Sequence, residues 1–276
     1  MKKILVPTDF SEQAEDALKV AAQIAKKHDS EIFLLHMLEL PTQLMDPSVR
    51  DAGSSIPESI YFMKLAHQRF EDVMSRDYLN GITVHETVQF NSAFEGIMAG
   101  SKEHGCDLVV MGSQGASGLK EAFIGSNTEK VVRHSNIPVL VIKDYIEIDN
   151  IKSFVYATDF TEESKKSFNE AVNFAKTIDA TLHLIYVNTP NKFKTTDYTD
   201  HVTNNYLKGL DLKNYSLTVY NDESVEKGIL NYAGKVNADL LGISTHGRKG
   251  LAHFLNGSIS EDLINHAQRP VITFKV

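Results

Sequence analysis

Apolar and polar positions follow two rhythms along this chain, and the sequence of rhythms is written twice. Short aliphatic and β-branched runs occupy residues 3–6, 31–37, 83–89, 107–111 and 138–142, and runs of this length and composition read as strands. Between them apolar residues recur at helical spacing. Ala14, Ala17, Leu18, Ala21, Ile24 and Ala25 form one stripe, and Ser11 stands where an N-cap belongs. Further helices are predicted from about Glu58 to Tyr78, from Ser92 to His104 and from Ser126 to His134. Tyr61, Phe62, Met63, Phe70 and Met74 are expected to be the core stripe of the first of these. Near-continuous apolar strands alternating with amphipathic helices call for a parallel sheet covered on both faces. Right-handed crossovers then make an α/β, doubly wound arrangement.

The second half repeats the first. Val6-Pro7-Thr8-Asp9-Phe10-Ser11 aligns with Tyr156-Ala157-Thr158-Asp159-Phe160-Thr161, and 136–143 aligns with 268–275. The offset is 150 residues at the front (156 − 6) and 132 at the back (268 − 136), so the first copy carries extra material in its middle. That material includes Pro41 to Pro57, rich in Pro, Ser, Asp and Gly, which reads as a surface loop. The join, near residues 144–151, is short and lacks a Gly/Ser/Pro tract, so it should hold the halves together. The expected domains are residues 1–146 and 147–276.

The chemistry gathers where ligands bind in such sheets, at the carboxyl ends of the strands. After the fourth strand runs Gly112-Ser113-Gln114-Gly115, then nine residues, then Gly125-Ser126. Gly112 lets the main chain approach a ligand, and Gly115 is expected to take a positive φ. Gly125 and Ser126 open the next helix, where free N–H groups can hold a phosphate. Asp9, after the first strand, can accept a hydrogen bond from an adenine amino group or a ribose hydroxyl. Two plainer roles stay open: glycines that only make turns, and an Asp9 that only caps the first helix. In the second copy Ser244-Thr245-His246-Gly247 is followed by nine residues and then Gly257-Ser258.

Two copies of Thr-Asp-Phe, of Gly-x2-Gly-x9-Gly-Ser (Ser244 replacing the first glycine in the second) and of a closing Pro-Val strand resemble the universal stress protein family in its tandem, two-domain form. The likeness covers nearly the whole chain. It implies two Rossmann-like domains, each with a five-stranded parallel sheet of order 3-2-1-4-5, that bind ATP or a related adenine nucleotide (ADP or AMP), with Mg as a companion ion left open. By position, Pro7, Thr8 and Asp9 would border adenine and ribose, and Met37 would face the base. Met111, Gly112 and Gly115 would line ribose and phosphates; Gly125, Ser126 and Asn127 would hold phosphates. The corresponding second site would be lined by Thr158, Asp159, Val187, Gly247, Gly257 and Ser258. The likeness also implies that the two final strands, 138–142 and 270–274, pair as a pseudo-dimer within one chain, with a homodimer of whole chains left open. In the second copy a Cβ at Ser244 is expected to crowd the ribose, and Ala157 stands in place of proline. Against that, Arg248 and Lys249 would favour phosphate there, whereas the first loop offers only Lys120. The first site is the expected binder.

Composition narrows the function classes. The net charge of −8 argues against a broad nucleic-acid footprint, and no stretch is long and apolar enough to suggest a membrane span. The first nine residues read as a strand and not as a signal peptide. The single cysteine, Cys106, leaves no disulfide framework and reads as a small core residue. Together these features favour the cytoplasm. Eleven histidines show no His-Glu-x-x-His spacing, and neither a Walker A sequence nor a Gly-x-Ser-x-Gly elbow occurs. No catalytic or metal-ligating residue is assigned. The expected function is a nucleotide-binding regulatory protein of the stress response. A slow ATPase or phosphoryl-transfer enzyme and an interaction module with vestigial sites are the alternatives.

Overall fold

The computed structural model describes residues 1–38, 55–115, 124–210, 212–245 and 258–276. The first half runs β1 (Lys3–Pro7), α1 (Glu12–His28), β2 (Glu31–Met37), α2 (Ser55–Met74), β3 (Val84–Gln89), α3 (Ala93–Glu103), β4 (Leu108–Gly112), α4 (Ser126–His134) and β5 (Val139–Ile142). The second half runs β6 (Ser153–Ala157), α5 (Lys165–Ile178), β7 (Thr181–Asn188), α6 (Thr196–Leu207), β8 (Tyr215–Asn221), α7 (Val225–Lys235), β9 (Leu240–Thr245), α8 (Ser258–His266) and β10 (Val271–Lys275).

All strands join one sheet of ten, in the order β3-β2-β1-β4-β5-β10-β9-β6-β7-β8. Each half therefore has the expected order 3-2-1-4-5 with parallel neighbours. The halves meet where β5 and β10 pair antiparallel, in the register Val141↔Val271, Leu140↔Ile272 and Val139↔Thr273. An antiparallel seam between two parallel sheets points their carboxyl ends to opposite ends of the molecule.

Alternating strand residues feed two apolar layers, and each layer crosses the seam. On one face Ile4, Val6, Leu140, Ile272 and Phe274 pack with residues of α1 and α5. On the other, Leu5, Val109, Val139, Val141 and Val271 pack with Val131 and Val132 of α4 and Leu263 and Ile264 of α8. The connector is docked onto α1. Gln23 donates from Nε2 to the Ile146 carbonyl (3.1 Å) and accepts at Oε1 from the Ile148 amide (2.7 Å). Lys27 reaches Asp149 at 2.9 Å, and Ile148 and Ile151 are buried.

Local signals explain the helix ends. Ser11 caps α1 by accepting the Ala14 amide, and Asp29 ends it in the left-handed conformation at φ 51°. Asp179 repeats that ending in α5 at φ 59°. One helix departs from its prediction. Helix α2 starts at Ser55, so residues 55–57 of the expected loop are helical, while residues 41–54 of it lie outside the described residues. Pro57 is tolerated there because a first-turn N–H has no helical acceptor to lose. The expected core stripe also fails in part: Phe70 is buried, but Tyr61, Phe62 and Met74 are exposed. Among the helix residues whose burial is described, only Ala66, Phe70 and part of Val73 reach the core.

Cys106 is free and buried, and burial pushes its thiol up to about 11, so it stays protonated at neutral pH. No described helix is long and apolar enough to cross a membrane.

Because both layers cross the seam, the halves should unfold in one transition. Leu140→Ala, at a fully buried seam position, is expected to cost about 2–5 kcal/mol. Urea unfolding followed by circular dichroism checks both points; two resolved transitions would contradict the first.

Candidate functional site

The turn after β1 explains why Thr-Asp-Phe is written twice. Phe10 sits at φ 62° and Phe160 at φ 54°, a region that residues with a Cβ enter at a cost. Side chains on either side hold the turn. Thr8 Oγ1 accepts from the Phe10 amide (3.0 Å) and Asp9 Oδ1 from the Ser11 amide (3.0 Å). In the second copy Thr158 Oγ1 accepts from the Phe160 amide (3.3 Å) and Asp159 Oδ1 from the Thr161 amide (3.2 Å). Asp9 is thus not the cap of α1; it steadies the amide of the residue that is. Phe10 leans on Phe70 and His36, with ring centroids 5.2 and 4.6 Å away.

All ten residues expected in the first half line one cleft of about 470 Å³ at the carboxyl edge: Pro7, Thr8, Asp9, Met37, Met111, Gly112, Gly115, Gly125, Ser126 and Asn127. The reasons for its glycines differ from expectation. Gly115 has no positive φ; a Cβ there would stand 2.6 Å from Asp9 Oδ2. At Gly112 a Cβ would meet the Gln13 carbonyl at 3.1 Å, so it is the start of α1 that needs the space. Gly125 is the N-cap residue of α4, with φ −64° and no side-chain cap. Its amide donates to the Ser113 carbonyl (2.8 Å), and Thr128 Oγ1 ties the same helix to the Gly112 carbonyl (3.0 Å). The first turn of α4, Ser126 to Thr128, thereby lines the same cleft as Asp9.

His36 was not foreseen in this wall. Its Nδ1 lies 2.8 Å from the Thr8 carbonyl, an acceptor, so Nδ1 carries the proton. Burial holds the ring below the usual histidine range; the Thr8 contact opposes this, Arg69 adds to it and Asp9 opposes it. Ala93 and Ile97 of α3 were also missed. A signal for them existed in the repeat. Ser92 caps α3 and Ser224 caps α7, and each is followed four residues later by glycine. A Cβ at Gly96 would lie 2.6 Å from Met37 Sδ, and one at Gly228 would lie 2.5 Å from Val187 Cγ1. Each glycine lets a side chain at the carboxyl end of the second strand, Met37 or Val187, lie across the helix.

In the second half Thr158, Asp159 and Val187 hold the corresponding positions, and Ser258 begins α8. Gly247 and Gly257 lie outside the described residues, as do Arg248, Lys249 and Lys120. The Ser244 hydroxyl serves packing within the second half. Its Oγ is turned into the core, 2.6 Å from Tyr156 Oη and 3.0 Å from Ser167 Oγ. Ser164 Oγ lies 3.1 Å from Tyr206 Oη and 3.4 Å from Thr158 Oγ1. Where α1 crowds Gly112 with its backbone, α5 starts later, at Lys165, and a hydroxyl cluster fills the gap. Burial pushes the Tyr156 phenol above its usual range, so it stays protonated and available as a donor.

Among the described residues no three His, Cys, Asp or Glu gather as a metal site. A hollow of about 500 Å³ between α6 and β8 is lined by Thr199 and Thr203, whose hydroxyls are spent on their own helix.

The model of the universal stress protein family matches the chain twice, over residues 1–143 and 150–275. The chain belongs to that family. Universal stress protein MJ0577 of Methanocaldococcus jannaschii is 32% identical over 155 residues, covering 51% of this chain and 94% of its own. Universal stress protein Slr1230 of Synechocystis is 23% identical over 295 residues and spans 100% of both chains. The crystal structure of a universal stress protein from Archaeoglobus fulgidus shares the fold at a TM-score of 0.68 and 22% identity, over 99% of this chain and 96% of its own.

Ser244 and His36 each give a measurable expectation. Ser244→Ala leaves buried hydroxyls short of a partner and should cost about 1–3 kcal/mol in urea unfolding. In the folded protein the His36 ring should titrate below the unfolded value of about 6.5, as read by NMR. The unfolded chain then binds the extra proton first, so this group's contribution is intact above pH ~6.5 and is lost as pH falls toward the lowered folded value. A midpoint at or above 6.5 would contradict the burial argument.

Proposed function

We propose that the first cleft binds ATP or a related adenine nucleotide, ADP or AMP, and that the chain acts as a nucleotide-dependent regulatory protein of the stress response. The observation that carries this reading is that a helix start without a side-chain cap and an exposed carboxylate line a single cleft. With glycine at the N-cap, the amides of Ser126, Asn127 and Thr128 have no acceptor from their own helix. They stand at its positive end, where phosphate is favoured. Asp9 offers an acceptor for a ribose hydroxyl or the adenine amino group. Met37, Ile97 and Met111 supply an apolar wall for a flat base. The cleft volume lies within the roughly 300–1,000 Å³ of small-molecule sites. A Mg ion accompanying the nucleotide would draw its ligands from phosphates and water, with Asp9 the one carboxylate at hand among the described residues of the wall.

The same reading divides the chain at residues 146 and 147 and places it in the cytoplasm, where a free thiol such as Cys106 persists. Gly125→Val tests the nucleotide site without breaking the fold, because a Cβ there meets its nearest neighbour, the Ser113 carbonyl, at 3.5 Å. Calorimetric titration of the full chain with ATP, ADP and AMP should show saturable binding. Gly125→Val should weaken it by at least about tenfold, the scale of one or two lost contacts to a charged group. Unchanged affinity would sink the assignment.

A further inference from the structure

The turn that leads into α4 is not held by the first half alone. The Ile124 amide, one residue before the N-cap Gly125, donates to Asn265 Oδ1 in the last turn of α8 at 2.7 Å. The two residues are 141 positions apart and belong to different halves. The next amide, of Gly125, is held by the Ser113 carbonyl of its own half at 2.8 Å. Two consecutive amides are therefore pinned from two directions, and the residues after them, Ser126, Asn127 and Thr128, line the cleft. The Ile124 side chain packs against the same apolar layer that holds Leu263 and Ile264 of α8. Arg133 and Glu261 add a second polar link between α4 and α8, at 3.4 Å.

We propose that Asn265 is a positioning residue for the first cleft: from the second half of the chain it fixes the Ile124-Gly125 turn and so aims the first-turn amides of α4 at the ligand. The inference rests on the nucleotide reading above for its ligand, but not for its geometry. An amide without its acceptor would seek another partner, and the turn would gain freedom that must be lost again when a phosphate binds. The site is thus preorganised across the seam.

The test uses the full chain in four forms: wild type, Asn265→Leu, Asn265→Asp and Glu261→Gln. ATP affinity is read by calorimetry and protection of the Ile124 amide by hydrogen exchange. Asn265→Leu, which removes the acceptor, should weaken ATP binding about tenfold and speed exchange at Ile124 by at least as much. Asn265→Asp keeps an acceptor oxygen and should keep Ile124 protected. Glu261→Gln loosens the same helix pair elsewhere and should leave affinity within about twofold of wild type. Should Asn265→Leu fail to fold, Asn265→Ala carries the same test. Wild-type affinity and exchange in the Leu variant would overturn the proposal, and so would an equal loss in Glu261→Gln. If the wild type binds no ATP while Ile124 still responds to Asn265→Leu, the nucleotide reading fails and the positioning role stands.

Discussion

The structure depends on one strand pair, β5 with β10. A parallel sheet built in the order 3-2-1-4-5 must end on its fifth strand, and an end strand presents unpaired backbone groups. Here each half closes the other's edge, and no helix or loop has to cover it. The pairing is short, three residues in register, but the two apolar layers that flank it turn it into the middle of a continuous core. Its antiparallel sense also dictates the geography of function. The carboxyl edges of the halves point to opposite ends, so the first cleft and the corresponding edge of the second half cannot share a ligand. Any communication between them has to pass through the elements at the seam.

Within each half the limiting constraint is the turn after the first strand. A phenylalanine in the left-handed region costs about 1–3 kcal/mol, and the structure has it twice. The threonine and aspartate before it hold it in place through the next amides in both copies. Thr-Asp-Phe therefore serves the fold whether or not a nucleotide is present, and it cannot rank one cleft above the other. The difference at the fourth strand is of the same kind. Gly112 and Ser244 both face the first helix of their half, and glycine or serine is chosen by how closely that helix approaches. An inequality that looks functional in the sequence is, at this position, a matter of packing.

Strands and helices were legible because burial on both faces leaves long apolar runs with sharp ends; α4 begins at Ser126 and ends at His134 as its pattern indicates. Asp9, Gly112, Gly115, Gly125 and Ser126 were legible because the repeat marks the same edge twice, whereas Pro7, Thr8, Met37, Met111 and Asn127 came from the family resemblance. The reasons behind them were not. That Gly115 yields to Asp9, or that Ser244 bonds Tyr156 and Ser167, depends on elements far apart in the chain. Periodicity carries no trace of such meetings. Helix α2 shows the opposite limit: Tyr61 and Phe62 have the composition of a core, yet among the described side chains the helix gives only Ala66, Phe70 and part of Val73 to it. Apolar spacing predicts a face, but not how much sheet lies beneath it.

The seam also determines which helices can matter to which cleft. Helices α4 and α8 precede the two pairing strands, so they lie side by side on the same layer and run in opposite senses. The start of α4 belongs to the first cleft, and the start of α8, at Ser258, stands at the corresponding place in the second half. Side by side and reversed, each helix brings its last turn near the first turn of its neighbour. Asn265 in the last turn of α8 meets Ile124 for this reason. A helix displaced along its axis by an anion at its start would carry its last turn with it. In a duplicated fold joined this way, the turn that leads into the first cleft is held by a residue of the second copy, although the described residues lining the cleft all belong to the first.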